Sequence, residues 1–152
     1  MPQKISTCLT FQGQAEEAMK FYASVFADAK IVRTDRTPPS VAKMSGATEG
    51  SVLAVVMKLG ELEILALNGP PFVPTPATSL FVACPSIPEI EKMWAKLIDG
   101  GEIRMALEKQ PWGAEKYGWV KDKFGVEWQL INSPHPKTSY GNCMLFVDKQ
   151  FG

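Results

Sequence analysis

Histidine is almost missing from this chain: one residue in 152, His135, held between Pro134 and Pro136. Imidazole is the usual proton shuttle and metal ligand near neutral pH, and with this one histidine poorly placed no Ser-His-Asp or Cys-His arrangement can be argued. Charge of one sign is also lacking, since 16 basic residues balance 16 acidic ones. No basic block with interleaved aromatics occurs, and a nucleic-acid partner is not expected. Apolar stretches reach only strand length, which excludes a membrane span and a signal-peptide core. A cytoplasmic address follows. The three cysteines, Cys8, Cys84 and Cys143, form an odd set without Cys-x-x-Cys spacing. A disulfide framework is not expected, and Cys8 and Cys84, set in apolar strand patterns, read as small buried hydrophobes.

What the chain does have is an internal repeat. Gly60 lies between Leu53-Ala54-Val55-Val56-Met57-Lys58-Leu59 and Glu61-Leu62-Glu63-Ile64-Leu65-Ala66-Leu67, the pattern of a β-hairpin. Gly125 lies in a matching setting, between Tyr117–Phe124 and Val126–Ile131. Upstream of each hairpin an apolar strand leads into an amphipathic helix. In the first copy the strand is Ile5–Phe11, and the helical stripe is Ala15, Ala18, Met19, Tyr22, Val25 and Phe26. In the second the strand is Thr78–Cys84. Ser86 and Glu89 form a capping box, and Ile90, Met93, Trp94, Leu97 and Ile98 run to Gly100-Gly101. Further strands are expected over Ala29–Arg36 and Ile103–Leu107.

The spacing predicts a first βαβββ module over 1–68, a proline-rich linker over 69–77, a second module over 78–132 and a C-terminal extension over 133–152. Residues 37–50, with two prolines and two glycines, read as a long loop. In the extension, Cys143–Val147 reads as an extra edge strand. The fold class is therefore α+β.

Two strings carry a family resemblance. Phe11-Gln12-Gly13-Gln14-Ala15-Glu16-Glu17-Ala18-Met19-Lys20-Phe21-Tyr22 resembles the first-helix signature of the PhnB-like branch of the vicinal-oxygen-chelate superfamily, which includes glyoxalase I, bleomycin-resistance proteins and extradiol dioxygenases. Trp112-Gly113, followed by Lys116-Tyr117-Gly118-Trp119, Asp122, Phe124-Gly125-Val126 and Trp128-Gln129, resembles that branch's C-terminal signature. The resemblance spans residues 4–132. It implies one glyoxalase-like domain, with two modules forming a cup-shaped mixed β-sheet, helices outside, and a homodimer completing the cup.

Enzymes of the superfamily hold a divalent metal through ligands on the first and fourth strands of each module. Carried over to this chain, those positions are Thr7 (with Ser6 one residue away), Ile64, Ser79 and Gln129. Hydroxyls are poor ligands at neutral pH and an isoleucine cannot coordinate, so only Gln129 suits a metal. The reading is a degenerate metal site with no cofactor expected. The branch is also labelled 3-demethylubiquinone 3-methyltransferase-like. S-adenosylmethionine is usually held by a glycine-rich loop in a doubly wound sheet, and no Gly-x-Gly-x-Gly string occurs here.

What remains is a wall of aromatic and polar side chains. Strand alternation puts Tyr117 and Trp119 on one face, and Gln129 and Ile131 on one face of the next strand. Trp112, Tyr117, Trp119 and Gln129 are the candidate ligand-binding residues, and the expected partner is a small molecule. Phe124 and Trp128 read as core. The leading function is metal-independent binding. The alternatives are a metal-dependent lyase, isomerase or dioxygenase, a methyltransferase, and an assembly module.

Overall fold

The computed structural model describes residues 4–73, 75–132 and 138–144. The chain divides into two compact units, Met1–Phe72 and Val73–Gly152. Each is a helix laid on a mixed sheet, so the α+β expectation holds.

In the first unit the elements run β1 (Thr7–Phe11), α1 (Ala15–Val25), β2 (Ala29–Arg36), α2 (Pro39–Ser45), β3 (Val52–Leu59) and β4 (Leu62–Asn68). The strand order is β1-β4-β3-β2, with β1 parallel to β4 and the other pairs antiparallel. The α1 stripe is buried at Ala15, Ala18, Met19, Tyr22 and Val25, which is why this segment docks as a helix. Asn68 fixes which sheet face the helix covers. Its side-chain oxygen accepts from the Ala15 amide at 3.0 Å, at the start of α1. By strand alternation Ala66 and Ile64 share that face, and both are fully buried.

The segment read as a loop over 37–50 contains a two-turn helix instead. Pro39 sits in the first turn, where its missing N–H costs nothing, and Gly46 closes the helix at φ 74°. Seven residues are too few to show a helical period, so the signal lay only in these two punctuating residues.

In the second unit the elements are β5 (Thr78–Cys84), α3 (Ile87–Leu97), β6 (Glu102–Glu108), β7 (Tyr117–Lys121), β8 (Glu127–Asn132) and β9 (Ser139–Met144). The strand order β6-β7-β8-β5-β9 repeats the first sheet with one strand added. β9 pairs antiparallel with β5 and covers the edge that its counterpart β1 leaves without a strand of its own sheet. It begins earlier than the expected Cys143, on a polar stretch with no strand-like alternation; Leu145–Val147 lie outside the described residues.

α3 is capped by Ser86, whose hydroxyl accepts from the Glu89 amide at 3.4 Å. Its buried stripe, Ile90, Met93, Trp94 and Leu97, rests on β5, β7 and β8. Gly118 makes this possible, because a Cβ there would lie 2.7 Å from the Trp94 ring. Trp128, Leu130, Val120 and Val82 complete the core on the same side.

Candidate functional site

The turn between β7 and β8 sets the registry of the second sheet. Asp122 is buried and accepts three hydrogen bonds: Oδ1 from the Phe124 and Val126 amides at 2.9 and 3.0 Å, Oδ2 from Trp128 Nε1 at 2.8 Å. The turn is thereby latched to the helix-covered core, and Trp128 is structural. Alternation then turns Gln129 to the opposite, open face of the sheet.

On that open face the register places Trp119 opposite Gln129 on β8, and Phe81 beside Gln129 on β5. The Tyr117 hydroxyl donates to Gln129 Oε1, and Gln129 Nε2 donates to Ser79 Oγ at 2.8 Å. All three side chains are buried. Burial raises the Tyr117 pKa, with a smaller contribution from Cys143, so the phenol remains a donor at neutral pH. Trp112 is 60% exposed but leans edge-on against Tyr117, with ring centroids 5.4 Å apart. The structure thus links Trp112, Tyr117, Gln129 and Ser79 into one row, with Trp119 adjacent.

Beside the row lies an open depression of about 710 Å³, lined by Phe81, Ala83, Ile131, Gly141, Cys143 and Met144 among others. Most of these belong to the same face, reached from Gln129 by period-two steps and strand pairing. At the other end of the face stands a charged group that the sequence reading missed. Glu127, buried, accepts from Arg104 Nε at 2.8 Å and from Trp119 Nε1 at 2.9 Å. Lys121 and Arg104 also reach Glu102, at 3.1 and 3.9 Å. Glu127 lies two residues before Gln129, so alternation alone could have flagged it.

The first module offers no copy of this row. Asn68 and Asn132 correspond, each tying its strand end to the backbone of the neighbouring segment, at Val52 and Lys116. That match pairs Leu65, not Ile64, with Gln129. Ile64 sits under α1, and Thr7, its partner in the ladder, shares the helix-covered face. Counting from the glycines slips by one because the strands differ: each begins two residues after its glycine, but β4 runs seven residues to Asn68 and β8 six to Asn132. Ser6 takes the place that Ser79 has in the second module, and its hydroxyl donates to Glu63 at 3.0 Å. Hydrogen bonds from Lys4 and then Ser6 hold Glu63 below the usual carboxylate range.

A metal set does not fit these positions: Ser6 and Leu65 with Ser79 and Gln129 supply two hydroxyls, an amide and a hydrocarbon. Among the described residues no group of three His, Cys, Asp or Glu converges. His135 lies outside them. Cys84 is buried on the α3 side, and burial pushes its thiol up to about 12, with Glu89 adding to the effect. Cys8 is exposed, contrary to the expectation of burial, because β1 is an edge strand of its sheet.

Comparison with known proteins agrees with this architecture. The profile of the family described as 3-demethylubiquinone-9 3-methyltransferase matches residues 3–131. A PhnB protein from Bacillus cereus, described as a candidate 3-demethylubiquinone-9 3-methyltransferase, is 38% identical over 86% of this chain and all of its own, with a TM-score of 0.76. Protein PA1353 from Pseudomonas aeruginosa shares the fold at 21% identity, covering 87% of this chain and 98% of its own, with a TM-score of 0.74. The fosfomycin resistance protein FosX of Listeria monocytogenes shares it at 10% identity, covering 88% and 94%, with a TM-score of 0.62. No curated protein matches the chain. The repeated strand order, the two signature strings and these matches lead to one assignment: the chain belongs to the PhnB-like, 3-demethylubiquinone-9 3-methyltransferase family of the vicinal-oxygen-chelate superfamily.

Proposed function

We propose that this protein binds a small molecule without a metal, on the open face of its second module. Trp112, Tyr117 and Trp119 supply the apolar wall, and Gln129 fixes the ligand's orientation. The observation that carries the reading is the buried Gln129 carboxamide, held from both ends by Tyr117 and Ser79 beside an open depression of about 710 Å³. A fixed amide among rings is a specificity element, because its remaining donor and acceptor capacity points one way only.

The modules at 1–68 and 78–132, joined by the linker 69–77 and followed by the extension 133–152, act in this reading as one glyoxalase-like domain. The binder works as a homodimer in the cytoplasm. Among the described residues no helix is long and apolar enough to cross a membrane.

The test is a titration with the uncharged fluorescent probe N-phenyl-1-naphthylamine, run on chelator-treated protein and again with zinc, nickel or manganese. Saturable binding that ignores both treatments, and that weakens at least fivefold in Trp112→Ala, is the expected result. Binding that requires an added metal, or no binding at all, refutes the reading.

A further inference from the structure

From the charge distribution on the open face, we infer that the site selects an uncharged, planar ligand carrying a hydrogen-bonding group, and rejects the matching anion. The inference rests on the binding reading above and adds the chemical class of the ligand.

The described residues lining the depression are all neutral, from Phe81 and Ala83 on β5 through Ile131 on β8 to Gly141, Cys143 and Met144 on β9. The polar row beside it, Tyr117, Gln129 and Ser79, is neutral as well, and Tyr117 stays so because burial raises its pKa. Charged side chains do occur on the face, and its described cations are already engaged. Glu127 and Glu102 are met by the two cations Arg104 and Lys121, and the ladder sets a further carboxylate, Glu108, on this face opposite Tyr117. The best placed of these contacts is the Arg104 fork on Glu127, a paired geometry that leaves little field for a third ion. Arg104 is therefore spent on Glu127 rather than offered to a ligand.

An anion entering this face would shed its hydration and, among the described residues, meet no cation that is not already paired, with the Glu108 carboxylate adding repulsion. An uncharged planar molecule loses less on leaving water. It gains the rings of Trp112 and Trp119, and it can use the second donor and second acceptor position of the Gln129 amide.

Two isosteres isolate the charge. 2-Naphthamide and 2-naphthoate share a ring system and differ at physiological pH only in the charge of the substituent. Each is titrated into the full chain against bound N-phenyl-1-naphthylamine. The expected outcome is that the amide displaces the probe at a concentration at least tenfold lower than the acid, and that the ratio falls toward unity in Gln129→Leu. Where that variant does not fold, Ser79→Ala, a smaller change that removes one anchor of the amide, must reduce the ratio instead. Equal displacement, or preference for the acid, overturns the charge inference while the bound probe leaves the binding reading standing. Failure of the probe itself to bind overturns both. A tenfold preference untouched by either variant also overturns the inference, since recognition would then lie elsewhere.

Discussion

Gln129 on β8 and Ser79 on β5 lie fifty positions apart in sequence and meet through a 2.8 Å hydrogen bond from the carboxamide to the hydroxyl. The two strands run parallel, so the contact ties the module's first strand to its last at the floor of the open face. Replacing Gln129 with leucine keeps the volume but leaves the Tyr117 and Ser79 hydroxyls without this partner. Such a loss costs about 1–3 kcal/mol. Urea unfolding of the variant, with an unchanged slope and a lower midpoint, is the expected result. Unchanged stability would mean that water replaces the amide and that the row is less enclosed than its burial indicates.

Asp122 makes a prediction of the opposite kind, structural and remote from ligand. Its carboxylate holds two turn amides and the Trp128 indole. Asp122→Ala strands those donors in a buried setting, and the expected destabilisation is about 3 kcal/mol. Asp122→Asn keeps one acceptor oxygen and should lose less. Thermal unfolding followed by tryptophan fluorescence distinguishes the pair; equal losses would show that the carboxylate's charge, rather than its hydrogen bonds, sets the turn.

The extent to which these features could be read in advance depended on how local their causes are. The hairpins, α1, α3 and the Tyr117/Trp119 face follow from periodicities of two and 3.6, which survive in a single sequence. The position of Ile64 was lost because equivalence between modules was counted from Gly60 and Gly125, whereas β4 runs one residue further to its closing asparagine than β8 does. The extra edge strand was placed too late, at Cys143, because Ser139–Asn142 is polar and gains its strand character only by pairing with β5. The exposure of Cys8 depends on strand order, and the bidentate contact between Arg104 and Glu127 spans three strands. Neither is a property of a sequence window.

Gly118 is where the open face and the core come closest to conflict. It lies between Tyr117 and Trp119, both facing the site, and its own missing side chain admits the edge of Trp94 from α3. A Cβ at 2.7 Å from Trp94 Cζ3 and 3.1 Å from Leu107 Cα cannot be absorbed by a rotamer change alone. Gly118→Ala should cost about 1–3 kcal/mol through overpacking. It should also weaken probe binding, because shifting β7 moves both neighbouring rings. A variant less stable but unaltered in binding would show that α3 yields and the strand does not.

Alkaline pH provides a measurement that reads burial directly. The Cys84 thiol, ordinarily near 9, is pushed up to about 12 by burial, with the Glu89 charge adding to it. The folded pKa exceeds the unfolded one, so the contribution to stability is fully present below pH 9 and is lost as pH climbs from 9 toward 12. Burial raises Tyr117 in the same direction, with its loss beginning near 10. The melting temperature should therefore fall more steeply between pH 8 and 11 in the wild type than in Cys84→Ala, and Tyr117→Phe should remove a further part at the upper end. Alkylation by iodoacetamide gives an independent check at neutral pH. Exposed Cys8 should react at the rate of a small-molecule thiol, while Cys84 should be modified no faster than the second module unfolds. Parallel melting curves for wild type and Cys84→Ala, together with rapid labelling of Cys84, would place that thiol in contact with solvent and would open the α3 side of β5 to reagents that the packed core excludes.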